Sequence, residues 1–235
     1  MKINLLFDAI LFWLAFSCGE ESIPNFSLPL PGGKSWKLTV EAGGLAYDGT
    51  VDLFHTGIKF YSLDFSPFSK SLDGKIMEEK EVPILAMAGG MIYEVGTNAF
   101  HPNGYYVRID HDRDGLESTG YQSISAHLRD TPIVSVKQFV VQGQKIGVMG
   151  STGHLDGEPT STGRHVHITF YYKGTGSLKG GDSEKLNLIM LEGKAIKEYK
   201  VEALCYPWGF EPAFYPSFNF IVKPPDKLRV TPSSK

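Results

Sequence analysis

The chain has 235 residues, 42% of them hydrophobic, and a formal net charge of −3. That is enough apolar material for one domain of ordinary size, and the near-neutral balance leaves no electrostatic footprint for nucleic acid. The 26 Gly and 14 Pro, with 11 Tyr and 15 Phe, favour strands and turns over long helices.

Residues 1–18 read as an export signal. Lys2 precedes an apolar run at 9–16 that is too short to span a bilayer. The run ends in Ala15-Phe16-Ser17-Cys18, which resembles a bacterial lipoprotein cleavage site with Cys18 carrying the lipid. Acyl chains there would tether the protein to a membrane surface without a transmembrane helix. The expected location is the bacterial cell envelope, in the periplasm or as an outer-membrane lipoprotein. Cys18 and Cys205 are the two cysteines, so a disulfide between them is the competing reading.

Residues 19–34 are rich in Pro, Ser and Gly and read as a tether. Short strand-like runs follow at 36–40, 60–65, 82–88, 91–95, 105–109, 123–128, 139–141 and 145–149. The polar stretch at 66–80 reads as a surface loop, and 150–163 as a loop of small and polar residues. A further strand is expected at 166–172. Many short strands at this spacing predict a mainly β, antiparallel architecture over 35–175. The pattern weakens beyond, where 184–191 fits a short helix or a strand. Residues 176–235 are expected to form an accessory extension packed on the core.

Arg164-His165-Val166-His167-Ile168 is the most informative stretch. Strand side chains alternate between faces, so His165 and His167 point the same way, and Val166 and Ile168 the other. Two imidazoles on one face suit a divalent metal with a second ring near enough to handle a proton. A polar strand face is the plainer alternative. Two other histidine contexts lie upstream, His55-Thr56-Gly57 followed by Tyr61-Ser62-Leu63-Asp64-Phe65, and Ser125-Ala126-His127-Leu128.

In this order the three contexts resemble the lysostaphin-type zinc endopeptidases, the β-lytic or LytM-domain family that cuts peptidoglycan cross-bridges. The likeness runs from about Leu28 to Tyr172. It includes Leu28-Pro29-Leu30-Pro31-Gly32-Gly33, Val82-Pro83-Ile84-Leu85-Ala86 with Gly89-Gly90, Val141-Gln142-Gly143-Gln144-Lys145-Ile146-Gly147, and Gly150-Ser151-Thr152-Gly153. The resemblance implies antiparallel sheets forming an open groove, with one zinc at its floor. It implies His55, Asp64 and His167 as the metal ligands, His127 and His165 as catalytic histidines, and peptidoglycan peptides as substrate. Two His and one carboxylate match the three protein ligands of a catalytic zinc. The division of labour between His127 and His165 is open. A non-catalytic LytM-type module, binding cell wall or regulating other hydrolases, is the alternative.

Two positions depart from the family pattern. Many members place the Asp four residues after the first His, where this chain has Lys59; the Asp64 block resembles a long-spacing branch. Ser125 stands where a Tyr commonly precedes the catalytic His by two, and an effect on substrate contacts is expected. Separately, Asp110-His111-Asp112-Arg113-Asp114-Gly115 begins like an EF-hand loop, but position twelve is Tyr121 where a bidentate Glu is required. It reads as a hairpin loop turned at Gly115. His101 and His154 are expected in loops, exposed to solvent.

Overall fold

The computed structural model describes residues 22–174, 182–201 and 213–219. The expected export signal at 1–18, with Cys18, and also Cys205 and the last residues of the chain lie outside these. The strands in chain order are β1 (Lys34–Val40), β2 (Ser62–Lys70), β3 (Ile76–Glu78), β4 (Pro83–Leu85), β5 (Gly90–Gly96), β6 (Tyr105–Asp110), β7 (Tyr121–Leu128) and β8 (Phe139–Val140). They continue as β9 (Lys145–Val148), β10 (His154–Leu155), β11 (Glu158–Pro159) and β12 (Val166–Tyr172). A short helix α1 (Asp182–Asn187) precedes β13 (Met190–Leu191), β14 (Lys194–Ala195) and β15 (Phe214–Ser217). Among the described residues, no helix is long and apolar enough to cross a membrane.

One antiparallel sheet dominates, in the order β15-β1-β2-β12-β7-β6-β5-β8, with β3 pairing on β2. Hydrophobic alternation decides its two faces. Leu63 and Phe65 on β2 and Val166, Ile168 and Phe170 on β12 are fully buried in the main core. Each such side chain contributes roughly 1.5–3 kcal/mol through burial. Their neighbours Ser62, Asp64, His167 and Thr169 therefore share the opposite face. Cross-strand register sets Asp64 directly opposite His167, and Ser62 opposite Thr169.

On β7 the alternation breaks beside the site. Tyr121 lies in the main core at one end of the strand and Leu128 at the other, an odd and an even position. Pairing with β6 explains the switch. Tyr105 pairs with Leu128 and Val107 with Ser125, so β7 carries one extra residue at Ala126–His127. This is a β-bulge, which re-aims a side chain. His127 carries the local cost, with a left-handed backbone at φ 59°. Without the bulge, His127 would share the core face with Tyr121 and Ser123.

Three expectations from the sequence are corrected. The tether at 19–34 does not extend to residue 34 as a free segment: Phe26, Leu28 and Leu30 are buried in the core, and the Ser27 amide donates to the Met87 carbonyl at 2.8 Å. The polar stretch 66–80 is largely sheet, because Phe68–Lys70 of β2 pair with β3. Its polar groups find partners there: Ser69 Oγ donates to Glu79 at 2.7 Å, and Glu79 pairs with Lys34. The described part of the extension packs on the core, as expected, but is integral to it rather than accessory. β15 adds a strand beside β1, and Leu186, Ile189, Leu191, Ile196 and Tyr199 are part of the main core. The segment at 184–191 is both of the forms expected, helix first and then strand.

The Asp110–Gly115 segment lies in the hairpin between β6 and β7, as expected. Gly115 adopts φ 78°, and its amide donates to Asp110 Oδ2 at 2.8 Å.

Candidate metal centre and groove

Two consecutive 3-10 turns, Leu53–His55 and Gly57–Lys59, bring His55 to the sheet. Asp52 caps the first by accepting from the Phe54 amide at 2.8 Å. His55 is completely buried. Its Nε2 lies 3.1 Å from Asp64 Oδ1 and 3.1 Å from His167 Nδ1, and His167 Nδ1 lies 2.9 Å from Asp64 Oδ1. Three potential ligand atoms thus form a nearly equilateral triangle. The ligand edges of a tetrahedral zinc bound at about 2.0–2.1 Å would be about 3.3 Å. The triangle is slightly tighter than that and needs only a small expansion.

The outer nitrogens orient these rings. His55 Nδ1–H donates to the Ser62 carbonyl at 3.2 Å, which leaves Nε2 with its lone pair turned inward. His167 Nε2 is 2.7 Å from Thr169 Oγ1, which is 2.8 Å from Ser62 Oγ. With Nε2–H donating to Thr169, His167 Nδ1 also presents a lone pair. Such outer partners fix the tautomer of a metal-binding histidine. Sequence reading did not single out Ser62 and Thr169. Strand alternation was the available signal, since each sits two residues from a ligand on the same face.

Charge in the cluster is tightly coupled. Burial alone would raise the Asp64 carboxyl, but the His55 and His165 charges, and then the adjoining His167 and His55 rings, hold it well below the usual carboxylate range. Burial pushes His167 down to about 4 despite Asp64. His55 feels the same burial, yet Asp64 outweighs it and the imidazole is raised. An anion held ionised among imidazoles, one of them favouring its charged form, is a site that selects positive charge. A divalent cation supplies it, and the donor set fits zinc.

His127 and His165 stand beside the triangle, their ring centroids 4.7 Å apart, and His127 is 5.8 Å from the His167 ring. His127 Nδ1–H donates to the Thr152 carbonyl at 2.6 Å. His165 Nδ1–H donates to the Gly163 carbonyl at 2.8 Å, with Ser161 Oγ at 3.3 Å. A carbonyl only accepts, so each neutral ring keeps a basic Nε2. His165 Nε2 is 3.6 Å from Asp64 Oδ2. Burial, then the neighbouring imidazoles, push His127 down to about 3. Gly153 lets the loop close over this ring: a Cβ there would lie 3.0 Å from His127 Nδ1 and 2.4 Å from Thr160 Oγ1.

All five residues therefore come together, and His127, His165, His167 and Asp64 line a cavity of about 460 Å³. Ser125 does not join them. It pairs with Ile168 on the core side and is buried, which corrects the expectation of a substrate contact there. His101 is exposed, as expected. His154 is half-buried against the Phe100 ring, and its Nδ1 is shielded from solvent, which corrects the expectation of a solvated ring.

Comparison with known proteins gives the site a family. Among solved structures, lysostaphin from Staphylococcus simulans is 22% identical, with a TM-score of 0.38 over 59% of this chain and 43% of that one. A zinc-containing peptidase from Vibrio cholerae is 21% identical, with a TM-score of 0.42 over 65% of this chain and 38% of that one. The chain thus spans under half the length of either. The M23 metalloprotease pseudoalterin, from the deep sea, is 16% identical, with a TM-score of 0.47 over 83% of this chain and 98% of that one. No curated protein matches the chain. The family model for peptidase family M23 matches residues 69–178, a span that holds His127, His165 and His167 but begins after His55 and Asp64. Sheet pairing brings Asp64, and the 3-10 turns bring His55, to His167, and residues 69–178 carry a domain of peptidase family M23.

Proposed function

We propose that this chain is a zinc-dependent endopeptidase that hydrolyses peptide bonds in peptidoglycan cross-links. One observation carries the reading: His55 Nε2, Asp64 Oδ1 and His167 Nδ1 converge at 2.9–3.1 Å beside two histidines with basic Nε2 atoms, at the wall of an open cavity. Zinc, when bound, lowers the pKa of water from 15.7 to about 7 and polarises a carbonyl. The protein does the rest. The Nε2 atoms of His127 and His165 accept the proton of the attacking water, stabilise charge developing on the carbonyl oxygen, and return a proton to the leaving amine. The Thr152 and Gly163 carbonyls hold both rings in the tautomer this needs. Supporting the substrate class is the family, together with a groove open enough to admit an extended peptide.

The N-terminal run ending at Cys18 supports an exported, lipid-anchored protein of the cell envelope. The test is muropeptide analysis after purified cell wall is incubated with the zinc-loaded protein. New free amines and shortened cross-links are expected. Intact cross-links after incubation with protein of confirmed zinc content would overturn the enzyme reading and leave a binding module.

A further inference from the structure

The groove carries a cation that the metal chemistry does not use. Two basic side chains line it, Lys59 and Arg164. Arg164 is engaged: its guanidinium donates to the carbonyls of Glu79 and Lys80 at 3.0 and 2.8 Å and approaches Glu78 at 3.4 Å. Lys59 is not. Among the described residues its ammonium has no hydrogen bond or ion pair, and it lies 5.7 Å from the centroid of the Phe54 ring. The nearby carboxylates are turned elsewhere. Asp52 caps the Phe54 amide, Asp48 accepts from Thr50, and Asp64 faces the imidazoles.

We infer that Lys59 is a specificity residue that binds a carboxylate of the peptide substrate beside the scissile bond. Lys59 is half-buried in the second 3-10 turn, four residues after His55. Burial lowers its pKa, although Asp52 and Asp64 are near enough to favour its charge. A half-desolvated ammonium without a partner is costly, and an incoming anion removes that cost. The Phe54 and Tyr47 rings on the same wall narrow the approach to the ammonium. The metal ligands gain as well, because a carboxylate on Lys59 offsets a positive charge beside a site that is to hold a cation. The carboxylate can come from an acidic side chain or from a free C-terminus; Lys59 reads the anion common to both.

This inference rests on the reading of the groove as a peptide-binding zinc site. The test is calorimetric binding of purified peptidoglycan stem peptides to the full, zinc-loaded chain. A His127→Ala background slows cleavage during the titration. The peptides are used with all carboxylates free, with the side-chain carboxylate amidated, and with the C-terminal carboxylate amidated. One of the two amidations is expected to weaken binding about tenfold, and which one names the source. Lys59→Gln should abolish that discrimination with zinc content unchanged, and Lys59→Arg should keep it. Equal binding of all three peptides, undetectable binding of any, or discrimination that survives in Lys59→Gln would overturn the inference. Failure of the enzyme reading looks different: the chain with His127 intact would cut none of the peptides, yet the Lys59-dependent preference in binding would remain.

Discussion

Among the described residues, two groups of side chains could hold a metal, His55-Asp64-His167 and Asp110-Asp112-Asp114. Their surroundings separate them. In the first, both imidazoles have outer partners, the Ser62 carbonyl and Thr169 Oγ1, so the inner atoms face only each other. In the second, the carboxylates already serve the hairpin. Asp110 accepts from the Gly115 and Asp112 amides, and Asp114 accepts from the Leu116 amide and the Thr119 hydroxyl. Burial and the neighbouring Asp110 and Asp114 raise the Asp112 carboxyl to about 6, the response of an acidic loop that relieves repulsion with a proton. Ligand-type residues in proximity are thus insufficient. What distinguishes a metal centre is inward lone pairs that the protein itself leaves unsatisfied.

The sharpest way to break this contrast is His167→Ala, which should reduce zinc content from one per chain to none and activity to background, as read by elemental analysis and muropeptide release. Retention of stoichiometric zinc would move the centre elsewhere. His127→Ala should keep the zinc and lower kcat by about 10²–10⁴-fold; loss of metal in that variant would make His127 a ligand. Thr169→Val removes the outer partner of His167 and should weaken zinc binding by about 10–100-fold in a chelator competition.

On the hairpin side the effects are on stability. His111 Nδ1–H donates to the Gly89 carbonyl, its Nε2 meets Ser123 Oγ, and the ring packs against Phe26. Burial pushes its imidazole down to about 4. The unfolded chain takes up this proton below about 6.5 and the folded chain only near 4. Stability is therefore full above pH 6.5 and falls as the pH drops towards 4, by up to about 3 kcal/mol. Because Asp112 titrates in the opposite sense over the same window, the measurement is the difference in urea unfolding between wild type and His111→Gln at pH 7 and pH 4.5. Smallest is Asp110→Asn, expected to cost about 1–2 kcal/mol by removing an acceptor from the Gly115 amide. Zinc content should be unaltered, and millimolar calcium should leave the melting temperature of the wild type unchanged. A calcium-dependent rise would make the loop a second metal site.

Much of the centre was legible because it follows from alternation. A period of two puts His165 with His167, Asp64 with Ser62, and the apolar residues between them in the core. The pairing of Asp64 with His167 needs β2 beside β12, which no single strand encodes. His127 was legible only through family resemblance, since plain alternation along β7 turns it into the core. Lys59 was read as a departure from a ligand pattern, and its role beside the groove depends on two 3-10 turns whose path tertiary packing sets. The buried segments at 26–30 and 182–201 were hidden by their turn-rich, weakly periodic sequences, which say little about what they cover.

The extra residue on β7 also bears on how such a protein can lose its activity. Were β7 to pair with β6 without the bulge, with every residue kept, plain alternation from Tyr121 would swing the His127 imidazole into the core and place Leu128 over the groove. His55, Asp64 and His167, on other elements, would stay together. The groove would then keep its ligand-type triangle and lose one of the two imidazoles beside it, so a single step of strand register decides what chemistry the same sheet can offer.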